Sequence, residues 1–207
     1  MNFENLTIDN GLSQATAEAI IQDSDGYVWI GTNDGLNRYN GSEIKVFDSN
    51  DEDENSIISN YITALAEDKN KNLWIGTDEG LSKINLSNYS ISNYRYNKKD
   101  KDISYYAIIT MYVDDKGNLY VGNNKGVYLY DEKIDDFNKV FGIENGLIDE
   151  NIYSITKDKY DNLWIGTNQG LHKVDSKSTR AYPYSVGNTK TSEWGKVRSI
   201  FFDDDNM

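Results

Sequence analysis

The chain has no cysteine and a single proline, Pro183, in 207 residues. The first absence removes disulfides and thiolate metal sites and leaves the compartment open, because exported proteins can also dispense with cysteine. Basic residues are scarce: 21 stand against 34 acids, for a formal charge of −13. Nucleic acid is bound through a basic footprint, so such a partner is repelled, and an anionic membrane surface is disfavoured for the same reason. No apolar run approaches the about 20 residues of a membrane-spanning helix. The opening Met1-Asn2-Phe3-Glu4-Asn5 has neither the basic flank nor the apolar stretch of a signal peptide. That leaves a cytoplasmic protein, or one whose export signal lies outside this sequence. What is plentiful is tyrosine and glycine, 16 of each. Aromatic and β-branched residues favour strands, and Gly, Asn and Asp supply turns.

A repeat organises these residues. Tyr27-Val28-Trp29-Ile30-Gly31-Thr32 returns as Asn72-Leu73-Trp74-Ile75-Gly76-Thr77, as Asn118-Leu119-Tyr120-Val121-Gly122-Asn123, and as Asn162-Leu163-Trp164-Ile165-Gly166-Thr167. The aromatics at 29, 74, 120 and 164 are spaced by 45, 46 and 44 residues. A second glycine follows the first by four residues (Gly35, Gly80, Gly126, Gly170), and an aspartate precedes each aromatic by six (Asp23, Asp68, Asp114, Asp158). A period near 45 residues with four short strand patterns predicts β-propeller blades. A helical repeat of that period would need apolar residues at helical spacing, and there are none.

In the second copy, Tyr61–Glu67 reads as the innermost strand A, Leu73–Thr77 as B, Leu81–Asn85 as C and Tyr89–Tyr96 as D. The strand B aromatic is expected to pack between blades. The first glycine admits close approach of another chain segment, the second a positive φ in the B–C turn, and the aspartate caps the A–B hairpin. The expected fold is all-β, a β-propeller array of four complete four-stranded antiparallel blades at about 17–50, 61–96, 106–142 and 151–185. Ile8-Asp9-Asn10-Gly11-Leu12 mirrors Ile143-Glu144-Asn145-Gly146-Leu147, so 2–7 reads as an orphan strand D, and 197–203 reads as an orphan strand A. The expectation is a segment of a larger propeller, with Val28, Ile30, Ile165 and Phe201 on blade flanks and self-association through open edges.

Residues Ile62 to Leu81 follow the pattern I-x-A-I/L-x-x-D-x-x-x-x-L-W-I-G-T-x-x-G-L. This resembles the two-component regulator propeller repeat. The first and fourth copies match it well, and the third departs at Tyr120 and Asn123. The resemblance implies an extracytoplasmic sensor propeller, placed before a transmembrane helix and an output such as a histidine kinase or diguanylate cyclase. No output machinery is present in the sequence, and the ligand is not implied, because fold does not determine function.

Catalytic and metal sites find little support. His172, the one histidine, falls at the strand C position held by Asn37, Ser82 and Tyr128, and without an acid or serine partner it reads as a surface residue. Asp23-Ser24-Asp25-Gly26 starts like a calcium loop but has Asp34, not glutamate, at the twelfth position, so a hairpin turn is expected. The run Asp48–Glu54 reads as a solvated loop. No cofactor and no metal is expected. In a propeller the D–A and B–C connections share one face, where scaffold positions repeat and recognition positions vary. Varying positions there give the ligand-binding candidates Gln14, Asn60, Tyr61, Tyr105, Tyr106, Glu150 and Trp194. Aromatics beside amides and carboxylates suit a glycan or a peptide. The leading expectation is a non-enzymatic ligand-sensing segment. A protein-interaction scaffold is the alternative, and a lyase- or glycosidase-type enzyme a distant one.

Overall fold

The structure, a computed structural model, describes residues 5–94, 107–185 and 195–202. It contains four antiparallel four-stranded sheets, each built from four strands in sequence order. The first comprises β1 (Ala17–Gln22), β2 (Val28–Thr32), β3 (Gly35–Tyr39) and β4 (Ile44–Phe47). The second comprises β5 (Ile62–Glu67), β6 (Asn72–Thr77), β7 (Leu81–Asn85) and β8 (Ile91–Tyr94). The third comprises β9 (Thr110–Val113), β10 (Leu119–Asn123), β11 (Gly126–Asp131) and β12 (Asp136–Phe141). The fourth comprises β13 (Ile152–Lys157), β14 (Leu163–Thr167), β15 (Gly170–Val174) and β16 (Tyr182–Tyr184). Two compact units hold two blades each, residues 1–108 and 109–207.

Within the first unit, Trp29 and Leu36 of the first blade share one buried cluster with Ile62, Leu73 and Ile75 of the second. The equivalent cluster of the second unit joins Val127 and Phe141 to Ile152, Ile155 and Ile165. The strand B glycine makes this packing possible. A Cβ on Gly31 would collide with the Ile62 side chain, one on Gly76 would lie 2.7 Å from Ile108 Cγ2, and one on Gly122 would lie 2.7 Å from Ile152 Cγ2. Each blade thus leaves a notch in its second strand for a branched side chain of the next segment. The B–C turn glycine answers a different need: Gly35, Gly80, Gly126 and Gly170 all have φ between 101° and 136°, which an L side chain resists.

The paired sequence segments before the first and fourth blades fold alike. Ile8–Asn10 and Ile143–Asn145 are single 3-10 turns, closed by Gly11 and Gly146 in the left-handed region. Of the two segments read as orphan strands, 2–4 and 203 lie outside the described residues. Thr7 is extended, and its N–H and hydroxyl both donate to Asn10 Oδ1, at 3.0 and 2.8 Å. Residues 5–7 and 195–202 join no ladder. Val197 nevertheless occupies a strand A position. Its N–H donates to the Thr167 carbonyl at 2.9 Å, as Ile108 does to Thr77 at 2.8 Å, and it fills the notch over Gly166. Of the four residues expected on open flanks, Ile30 and Ile165 are buried, Val28 is half-buried and Phe201 is 88% exposed. Ile165 stands on a flank that the third blade covers, in one buried cluster with Val127 and Phe141.

Candidate functional site

In the first, second and fourth blades, the end that carries the D–A connection and the B–C turn is cross-linked by side chains. Gln14 Oε1 accepts from the Asn33 N–H at 3.4 Å, Ser59 Oγ donates to Asp78 Oδ1 at 2.7 Å, and Gln169 Nε2 donates to Asp149 Oδ2 at 3.2 Å. These three contacts are equivalent, each tying the entry to strand A to the turn of the same blade. The next position links other segments. Asn60 Oδ1 accepts from the Ser49 N–H at 2.6 Å, and its carbonyl accepts from the Gly35 N–H at 2.8 Å. Glu150 Oε1 takes Lys139 Nζ at 2.7 Å and the Ile143 N–H at 3.2 Å. Burial works against the charge on Lys139, yet Glu150 and Glu144 outweigh it and hold the ammonium above its ordinary value.

In the first unit the structure therefore brings Gln14 and Asn60 to the same B–C turn of the first blade, while Tyr61 beside them is 43% exposed. Tyr61 is flanked at this end of the second blade by the exposed Asp78 and Glu79. Glu150 lies in the second unit. Tyr105, Tyr106 and Trp194 fall outside the described residues.

The surface reading of His172 is corrected: its side chain is fully buried. Nε2 accepts the Ile148 N–H at 3.1 Å. Asn37 Oδ1 does the same for Ser13 N–H at 2.9 Å, and Ser82 Oγ for Ile58 N–H at 2.9 Å. In these three blades the strand C position is thus an acceptor that holds the D–A turn, and a different side chain serves in each. Burial pushes the imidazole below its ordinary value, against the pull of Asp149. The variation at this position looked like surface drift in sequence because the common property is acceptor capacity, not residue type.

The opposite end of the blades carries a second feature. The recurrent aspartate caps the A–B turn as expected, but its other oxygen takes the strand B indole: Trp29 Nε1 to Asp23 Oδ2 at 2.7 Å, Trp74 to Asp68 at 2.8 Å and Trp164 to Asp158 at 2.9 Å. The Asp23 carboxylate of the calcium-like segment is thereby committed to the indole and to the amides of Asp25 and Tyr27. Cations stack over the same rings from strand C, with Arg38 5.8 Å from the Trp29 centroid, Lys83 5.2 Å from Trp74 and Lys173 5.8 Å from Trp164. At this end of the second unit, a cavity of about 670 Å³ opens between Tyr112, Lys157, Tyr160, Asp161 and Phe202.

Three segments of the chain, residues 11–34, 56–79 and 146–169, match the family model of the two component regulator propeller. They cover strands A and B of the first, second and fourth blades, starting in the first and fourth at the glycine that closes the 3-10 turn and ending one residue before the B–C turn glycine. Over 55 residues the chain is 44% identical to histidine kinase P4 of Formosa agariphila, a stretch that is 27% of this chain and 4% of that protein. It is similar in fold to the extracellular domain of a protein assigned to the hybrid two component systems of B. thetaiotaomicron. The TM-score is 0.83 and the identity 23%, covering 98% of this chain and 28% of that one. A second such domain from the same organism gives a TM-score of 0.66 at 25% identity, over 79% of this chain and 22% of that one. The chain thus spans less than a third of the length of each of these three proteins.

Proposed function

We infer that this chain, three of whose four blades match the two component regulator propeller, is a ligand-sensing segment of an extracytoplasmic signalling receptor and performs no chemistry of its own. A small glycan or peptide is the ligand class that the D–A and B–C end of the blades suits. The observation that carries this reading is the division of labour at that end. Gln14, Asn60 and Glu150 fix the connections through hydrogen bonds, while Tyr61 stays exposed on the blade whose B–C turn carries two exposed carboxylates, Asp78, which also takes the Ser59 hydroxyl, and Glu79. An aromatic face held on a fixed frame, with acceptors beside it, stacks on a sugar or peptide at low entropic cost. Tyr105, Tyr106 and Trp194 share the D–A positions in sequence. The kinase and hybrid-system names of the relatives support the signalling setting.

A thermal-shift screen against oligosaccharides and short peptides tests this reading. A ligand held at about 100 times its Kd stabilises a folded protein by about 2.7 kcal/mol, which is readily seen. The expected hit is recovered unchanged after incubation and loses at least about fivefold in affinity (~1 kcal/mol) with Tyr61→Ala. A product detected by mass spectrometry would overturn the non-enzymatic reading. Affinity lost with Tyr160→Ala but kept with Tyr61→Ala would move the site to the cavity at the opposite end.

A further inference from the structure

The third blade breaks the aspartate–indole rule, and the way it is repaired points beyond ligand binding. Tyr120 has no ring N–H to offer Asp114. In its place Lys157, the last residue of β13 in the following blade, reaches Asp114 Oδ2 at 2.8 Å. The same ammonium lies 5.5 Å from the Tyr120 ring centroid. Tyr120 also lacks a cation from its own strand C, where Leu129 stands opposite it. One lysine of the fourth blade therefore supplies both partners that the other blades supply internally. The contact is largely removed from solvent, with the Lys157 side chain 12% and the Asp114 side chain 2% exposed.

The first unit uses other groups at the equivalent places. Glu67, the last residue of β5, accepts from the Ser24 N–H at 2.7 Å and the Ser24 hydroxyl at 2.6 Å. Four residues on, Lys71 pairs with Asp25. In the second unit the residue four places after Lys157 is Asp161, and it pairs with Lys116. Asp25 and Lys116 are equivalent positions of the A–B turn, as are Lys71 and Asp161. The two interfaces therefore carry the same bridge with its charges exchanged.

We propose that these side chains form an address between blades, which lets the flank of the third blade accept the fourth blade and refuse the second, and lets the first blade accept the second and refuse the fourth. Were β5 laid on the third blade, Glu67 would meet Asp114 without its lysine and Lys71 would meet Lys116. Were β13 laid on the first, Asp161 would meet Asp25, and Lys157 would meet an Asp23 already held by Trp29. Exposed pairs attract only weakly, so the exposed bridges act mainly through the like charges of a wrong pairing. The buried Lys157–Asp114 contact carries the larger share, because either group left alone there is an uncompensated charge. Blades this similar need such a device, since repeated units exchange and misassemble readily during folding.

The test transplants the address in the full chain. Lys157→Glu with Asp161→Lys gives the fourth blade the groups of the second. Tyr120→Trp with Asp115→Ser and Lys116→Asp gives the third blade the indole and the A–B turn groups of the first. Each set of substitutions alone is expected to lower the melting temperature, the first by roughly 5–10 °C. Together they are expected to melt above either half. The combined chain, with both interfaces now carrying the same address, is expected to refold from denaturant with a smaller monomeric fraction than the unaltered protein. A combined chain that melts no higher than its poorer half overturns the complementarity. A combined chain that recovers its melting temperature and also refolds with the unaltered monomeric fraction overturns the address.

Discussion

A buried indole needs an acceptor for its N–H, and a carboxylate half removed from water needs donors. The six-residue interval between Asp68 and Trp74 meets both needs, because the A–B turn folds the aspartate back over strand B. Trp74→Phe keeps the ring and removes the donor. The expected loss is about 1–2 kcal/mol in denaturant unfolding, softened because Asn72 Nδ2 also reaches the carboxylate at 3.0 Å. Trp74→Ala additionally empties a fully buried site and is expected to cost about 3–5 kcal/mol. Equal losses for the two substitutions would show that the hydrogen bond, not packing, dominates. The constant spacing of aspartate and aromatic was plain in the sequence, and so was a role for each. Their bond was not, because nothing along the chain says which side of a hairpin a carboxylate will turn to. Tyr120 held the clue: an Asp114 retained without an indole calls for another donor, which Lys157 supplies.

Strands are where the sequence spoke most clearly. Period-two patterns and Asp, Asn and Gly turns place all four sheets to within a few residues, since burial of alternate side chains fixes the register. Connections were harder to read. The strand C acceptor that holds the D–A turn is Asn37, Ser82 or His172 in different blades, and chemistry shared by unlike residues leaves no repeat to see. His172 makes this element sensitive to pH. Its folded value is lowered by burial, so above about pH 6.5 the folded and unfolded chains hold the same number of protons. Below that, the unfolded chain takes up a proton that the folded one refuses, and stability falls with pH until the lowered folded value is passed. His172→Asn keeps an acceptor, as Asn37 does, and does not titrate. Melting between pH 7 and 5 is expected to drop less in the variant than in the unaltered chain, and parallel curves would contradict the assignment. Asp114 and Asp158 have values lowered despite burial, and Asp161 is held at about 2 by Lys116 and Lys157. Their stabilisation is lost only as pH falls through and below the ordinary carboxylate range near ~4, so the histidine window stands apart.

For the molecule as a whole, two features oppose each other. A net charge of −13 keeps copies apart at low ionic strength. Against it stands β1, whose flank is far more open than those of β5 and β13. Ala17 is exposed where Ile62 and Ile152 are fully buried, and Ile20 is 65% exposed. Because β1 is also a sheet edge, it offers unpaired backbone together with apolar side chains, the combination that invites pairing with another chain. Salt decides between the two, since the screening length falls from about 30 Å at 0.01 M to about 8 Å at 0.15 M and about 3 Å at 1 M. Short-range apolar contact is not weakened by that change. Sedimentation velocity at tens of micromolar, about the range where weak pairing registers (Kd of 1 μM being ~8.2 kcal/mol), is therefore expected to show mass rising with both protein and salt concentration. Ile20→Lys places a charge at the centre of the open flank and is expected to hold the chain monomeric throughout. A constant monomeric mass for the unaltered chain at every salt concentration would mean that β1 is not an association surface, and a purely charge-driven association would show itself by weakening, not strengthening, as salt is added.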